Sequence, residues 1–177
     1  MLFALSIKPY KLKPNIKTSL GMVYFLCLSI SILGFDKEQN TKESQAITRL
    51  SIIQEAEKYL GKNYKSKIQG QIMDCSGYTR FIMSKHDIKI TRSSVTQVHD
   101  GMRIKNIKEA LPGDILVFKG RNVRNNRPGH VGIVHHWSND TLYFIHSSVQ
   151  KGITIDHMYN NYYKQRFLQA RDVLSKK

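Results

Sequence analysis

Two short apolar segments late in the chain, His130-Val-Gly-Ile-Val134 and Leu142-Tyr-Phe-Ile-His146, flank the turn-forming stretch Ser138-Asn-Asp-Thr141. That pattern predicts a β-hairpin. A turn about Ser138 sets His130 and His146 opposite each other on one sheet face, within side-chain reach. Further upstream, Leu50, Ile53, Ala56, Glu57 and Leu60 recur at three- and four-residue steps, widened by Ile52 and Tyr59 and stopped by Gly61. That spacing is an amphipathic helix, with Ser44 or Thr48 as its expected cap. Helices come first and an antiparallel meander follows, so the expected class is α+β, with the N-terminal helices packed on an antiparallel sheet.

Asp74-Cys75-Ser76-Gly77 leads into Tyr-Thr-Arg-Phe-Ile-Met-Ser-Lys, a second helix with Asp74 as N-cap and Cys75 in its first turn. Leu111-Pro-Gly-Asp114 is a turn signal opening a strand over Ile115–Lys119. Gly120–Gly129 is a basic loop, read as solvated, and Ile153–Asp156 and Phe167–Leu174 are further strand candidates.

The first 35 residues differ from the rest. Lys8, Lys11, Lys13 and Lys17 precede an apolar stretch from Leu20 to Leu33, the layout of an export signal. The run is shorter than the roughly 20 residues that comfortably span a bilayer, so residues 1–35 are read as a signal peptide or membrane anchor. Residues 36–46 are a polar linker and 47–177 the folded domain. Of 28 Lys+Arg and 13 Asp+Glu in 177 residues, only those four lysines fall in the leader, so the net charge of +15 belongs mainly to the domain. Such a charge selects an anionic partner, whether nucleic acid, membrane surface or acidic polymer.

Past the leader Cys75 is the single cysteine, either a packing residue or a reactive one. A helix N-terminus favours the thiolate, the reactive form, through its unpaired N–H groups. A nucleophile also needs a histidine and a group to orient it, and His130 and His146 are available. Zinc ligation by Cys75, His130, His146 and His135 or His136 is a rival use of the same residue types. Their spacing matches no compact zinc motif. No nucleic-acid recognition motif accompanies the basic charge.

Tyr64, Asp74-Cys-Ser-Gly77, Arg92-Ser-Ser94 with Gln97, Leu111-Pro-Gly-Asp-Ile-Leu-Val-Phe118, His130-Val-Gly-Ile-Val134 and Phe144-Ile-His-Ser-Ser148 follow one another in this order. With the closing segment Tyr162–Leu174, the series resembles the NlpC-type bacterial cell-wall cysteine peptidases, over about Ile52 to Leu174. The resemblance implies a compact papain-like fold with Cys75 as nucleophile, His130 as general base and His146 as the residue orienting it. It implies that the Tyr64 hydroxyl and the Cys75 backbone N–H hold the oxyanion, and that Asp74, Ser76, Arg92 and Ser94 line the groove. The implied substrate is the peptidoglycan stem peptide, cut between D-glutamate and a diamino acid, with no metal or organic cofactor. An anionic wall polymer is the second partner the charge admits. The protein is expected to be an exported, envelope-located monomer that meets the membrane only through its N-terminal segment and binds no nucleic acid. The same triad serves a papain-like amidase or acyltransferase on another wall or lipid substrate. Where members of the family carry a Trp-Gly-Gly-like stretch, this chain has Lys65-Ser-Lys-Ile-Gln-Gly-Gln71.

Overall fold

The computed structural model describes residues 18–175, with side chains from residue 38 onward. It divides after Lys42 into two compact units, of which the second, from Glu43, holds the sheet. The basic lead, residues 1–17, lies outside the described residues, and of the apolar stretch only the helical backbone is described. No helix among the described residues is long and apolar enough to cross a membrane.

Helix α1 runs from Thr18 to Glu57, so the polar stretch 36–45 is helical where the sequence reads as a linker. The stretch contains neither Gly nor Pro to stop a helix, and Glu38 pairs with Lys42 one turn on at 2.8 Å. Neither Ser44 nor Thr48 is a cap; the Thr48 hydroxyl donates to the Ser44 carbonyl inside the helix. The helix ends before Gly61, whose positive φ turns the chain and whose N–H donates to the Ile153 carbonyl.

Two-residue strands β1 (Lys67–Ile68) and β2 (Gln71–Ile72) form a small hairpin in the stretch after Tyr64. Helix α2 (Cys75–Ser84) follows, then α3 (Ser94–Gln97) and strand β3 (Met102–Ile104). Strands β4 (Ile115–Lys119), β5 (Pro128–Ser138), β6 (Thr141–Ser148) and β7 (Gly152–His157) make the meander. Helix α4 (Asn161–Arg166) leads into β8 (Phe167–Asp172). The six-stranded sheet has the order β3-β8-β4-β5-β6-β7, with every neighbouring pair antiparallel.

One sheet face, through Val117, Val131, Ile133, Ile145 and Ile153, buries Ile52, Ile53 and Ala56 of α1 and Tyr78, Phe81, Ile82 and Met83 of α2. The other, through Leu116, Phe118, Val134 and Phe144, buries Tyr163 of α4 and Ala170. Each large side chain so buried contributes about 1.5–3 kcal/mol, which makes this two-sided burial the main term holding helices to sheet. A buried ion pair adds specificity. Arg49 of α1 donates to Asp114 at 2.7 Å, to the Pro112 carbonyl at 2.9 Å and to Asp172 of β8 at 3.0 Å.

Candidate active site

The β5–β6 ladder stops at the pair Ile133–Ile145, although β5 continues back to Pro128 against β4 and β6 continues to Ser148 against β7. The N-terminus of α2 is tied in at this place. Ser147 Oγ donates to the Met73 carbonyl at 2.7 Å, and the Val131 backbone N–H faces the Cys75 sulfur. Asp74 caps the helix as expected, accepting from the Gly77 N–H at 2.7 Å. Gly77 is required here because a Cβ would collide with the Ile72 carbonyl of β2.

Cys75 therefore opens α2 beside the start of β5, where His130 precedes Val131. Cys75 and His130 are not directly hydrogen-bonded. The expectation of a thiol acidified by the helix end is corrected by burial, which pushes Cys75 up. The N–H groups of Val131 and Ser76 and the Arg92 charge pull the other way without reversing it. Burial lowers His130 to about 3, assisted by His146. The resting pair is consequently a neutral thiol and a neutral imidazole.

His130 Nε2 lies 2.8 Å from His146 Nδ1, so the two rings predicted to pair do pair. The register differs from the sequence expectation. The turn is the two-residue Asn139-Asp140, both at positive φ, and a bulge lies between Val134 and His136. Extending the ladder by one residue puts His146 across from Gly132, leaving His130 as a diagonal neighbour on the same face. Gly132 is the residue that leaves room: a Cβ there would sit 2.7 Å from Phe144 Cδ2 and 3.2 Å from His146 Cβ.

Beyond His146 the chain continues to residues that sequence reading did not single out. His146 Nε2 lies 3.0 Å from Asp156 Oδ2, which also accepts from the Tyr163 hydroxyl at 2.9 Å. Lys151 Nζ donates to Asp156 Oδ1 at 2.7 Å. Burial raises the Asp156 carboxyl, but these three partners outweigh it and hold it far below the usual carboxylate range. Burial keeps His146 below its ordinary value despite the Asp156 charge, so that ring is neutral too. The signal was available once the β6–β7 register was known. Thr154 pairs with His146, and Asp156 is the next residue on that face.

On the solvent side, Arg92 forks onto Asp74 with bonds of 3.0 and 2.8 Å and reaches Ser76 Oγ at 3.1 Å. Burial of Asp74 is outweighed by that fork and by the Gly77 amide, so it stays ionised. Tyr64 lies in the electrostatic reach of Cys75, Asp74 and Arg92, and burial together with the two acidic neighbours keeps its phenol protonated. Gln97 donates to the Ser76 and Thr91 carbonyls and fixes the backbone behind the cap. Ser94 opens α3, half-buried, and makes no hydrogen bond to this group. His135 bonds to Glu57 and His136 instead of joining the site. Among the described residues no group of three or more His, Cys, Asp or Glu can hold a metal ion.

The sequence profile of the NlpC/P60 family matches residues 58–172. The probable endopeptidase NlpC of Escherichia coli is 33% identical over 102 residues, which cover 57% of this chain and 62% of that protein. The gamma-DL-glutamyl hydrolase of Bacillus subtilis is 28% identical over 169 residues, covering 90% of this chain and 37% of that one. This chain thus spans less than two thirds of either relative. A solved NLP/P60 family protein of Staphylococcus aureus, described as similar to lipoprotein, superposes with a TM-score of 0.62 at 24% identity, covering 73% of this chain and 42% of that one.

Proposed function

Starting from a chain that belongs to the NlpC/P60 family, we propose that it is a cysteine-type endopeptidase that hydrolyses the D-glutamyl–diamino acid amide bond of peptidoglycan stem peptides. The observation that carries this reading is the sole cysteine of the folded unit opening a capped helix beside a hydrogen-bonded histidine pair, half-buried His130 and buried His146. The names of the two curated relatives, an endopeptidase and a glutamyl hydrolase, support the bond class.

In this reading His130 takes the Cys75 proton as the sulfur attacks the amide carbonyl carbon. The Cys75 backbone N–H and the protonated Tyr64 hydroxyl hold the resulting oxyanion. His130 then protonates the departing amine, and water hydrolyses the thioester. Asp74, Arg92, Ser76 and Ser94 line the groove, where the Arg92–Asp74 pair offers both a cation and an anion to the charged ends of a short peptide. The enzyme acts as a monomer outside the cytoplasmic membrane, with residues 1–35 as its signal or anchor, 36–46 as connecting segment and 47–177 as the catalytic domain. Its own side chains supply every step.

Incubating the protein and its Cys75→Ala variant with purified peptidoglycan, and reading soluble products by mass spectrometry, tests the reading. Fragments ending at D-glutamate from the wild type alone are expected. Fragments from both proteins would remove Cys75 from the mechanism. Cleavage of another wall or lipid amide alone would reassign the substrate.

A further inference from the structure

The thiol mechanism leaves one buried carboxylate without a task. Asp156, on β7, is buried, and both its oxygens are engaged: Oδ1 by the Lys151 ammonium, Oδ2 by the Tyr163 hydroxyl and His146 Nε2. His146 is itself buried, and its other nitrogen faces His130. The arrangement is a line of four nitrogens ending on an anion, and each link constrains the next.

We propose that Asp156 is a positioning residue that fixes the tautomers of both histidines in series and so leaves the lone pair on His130 Nδ1. The inference rests on the reading of Cys75 and His130 as nucleophile and base. An ionised carboxylate only accepts hydrogen bonds, so His146 Nε2 carries the proton. A neutral imidazole holds a single N–H, and His146 Nδ1 is therefore bare. At 2.8 Å a bare nitrogen needs a donor, which makes His130 Nε2 the protonated atom of that ring. His130 Nδ1 is then the basic atom. When the S–H bond of Cys75 breaks, that proton forms the Nδ1–H bond of His130, and the sulfur keeps the electron pair for the new C–S bond. Asp156 takes no proton. It steadies the imidazolium through His146 until the proton passes to the leaving amine.

Asp156→Asn separates this role from packing, because the two side chains have the same shape. The Lys151 ammonium requires an oxygen opposite it, so the amide nitrogen of the variant faces His146 and Tyr163. His146 Nε2 must then accept, Nδ1 must donate, and His130 is left with its proton on Nδ1, where it cannot take another. The experiment measures steady-state kinetics on the stem peptide and ring nitrogen shifts by NMR on protein carrying 15N-labelled histidine. In the wild type, both rings are expected with protonated Nε2 and bare Nδ1. In the variant both are expected inverted, with kcat reduced by about a hundredfold or more and KM changed far less.

A wild-type His146 protonated on Nδ1 overturns the proposal whether or not the variant folds. A folded variant that keeps the wild-type tautomers, or kcat within about threefold, overturns it equally. If the wild type cuts no stem peptide while its ring nitrogens are as expected, the substrate reading fails and the tautomer assignment stands.

Discussion

The thiol of Cys75 carries two opposing demands. Its helix terminus and the Val131 and Ser76 amides favour the thiolate, and its burial disfavours charge more strongly. With His130 held neutral to about pH 3 by burial, no imidazolium is present near neutral pH to stabilise a resting thiolate. Alkylation by iodoacetamide tests this. The rate for Cys75, followed by mass spectrometry, is expected to climb with pH beyond the ordinary thiol range of about 8.5, because a raised pKa moves thiolate formation upward. A plateau reached below about pH 6 would indicate a resting ion pair instead. The helix-end reasoning available from the sequence gives the right position for this cysteine and the wrong sign for its acidity. Desolvation depends on which side chains close over the sulfur, and residues distant in the chain supply them.

At the scale of elements, α1 is bound to the sheet by apolar contact and by one buried cation. Arg49 holds Asp114, at the start of β4, and Asp172, at the end of β8. Replacing it by leucine leaves the buried Asp114 carboxylate without its counter-charge. An Arg49→Leu variant is expected to lose about 3–5 kcal/mol of unfolding free energy in denaturant titration. A loss below about 1 kcal/mol would mean that water replaces the guanidinium. The legible elements were those with a strong local signature: α2 with its Asp74 cap, β4 after Pro-Gly-Asp, and the alternating strands β5 and β6. The short helices α3 and α4 have caps, Ser93 and Asn160, but too few residues to show an apolar stripe. Strand β3 is fixed by pairing with β8, which lies near the other end of the domain. From sequence Asp156 is legible only as part of a strand, because its task follows from a pairing register that periodicity does not give.

Across the whole molecule the charge is unevenly distributed. From residue 115 to 139 there is no acidic residue, and the loop joining β4 to β5 presents Arg121, Arg124 and Arg127, all exposed. That loop ends at Pro128, two residues before His130 in the chain. Binding to purified cell walls is therefore expected to weaken as salt rises from about 0.05 to 0.5 M, over which the screening length shrinks severalfold. The Arg121→Gln, Arg124→Gln, Arg127→Gln triple variant is expected to show a shallower salt dependence in a co-sedimentation assay. Salt-insensitive retention would shift wall recognition to uncharged contacts.

The bulge in β5 has a consequence for which lengths of hairpin support this chemistry. Counted from the tight turn at Asn139-Asp140, His146 falls opposite Ile133, whose side chain points to the helix-covered face, away from His130. The one extra residue near His135 changes odd to even, and His146 comes to face Gly132 on the side of His130. The two rings meet because the bulge holds the β5–β6 pairing one residue out of the register that the turn alone would set. Lengthening the loop at the tip leaves that pairing intact, since hairpins close over loops of two to five residues. The tip of the hairpin can therefore vary in length, whereas straightening the bulge into a regular ladder would turn His146 toward Ile133 and away from His130.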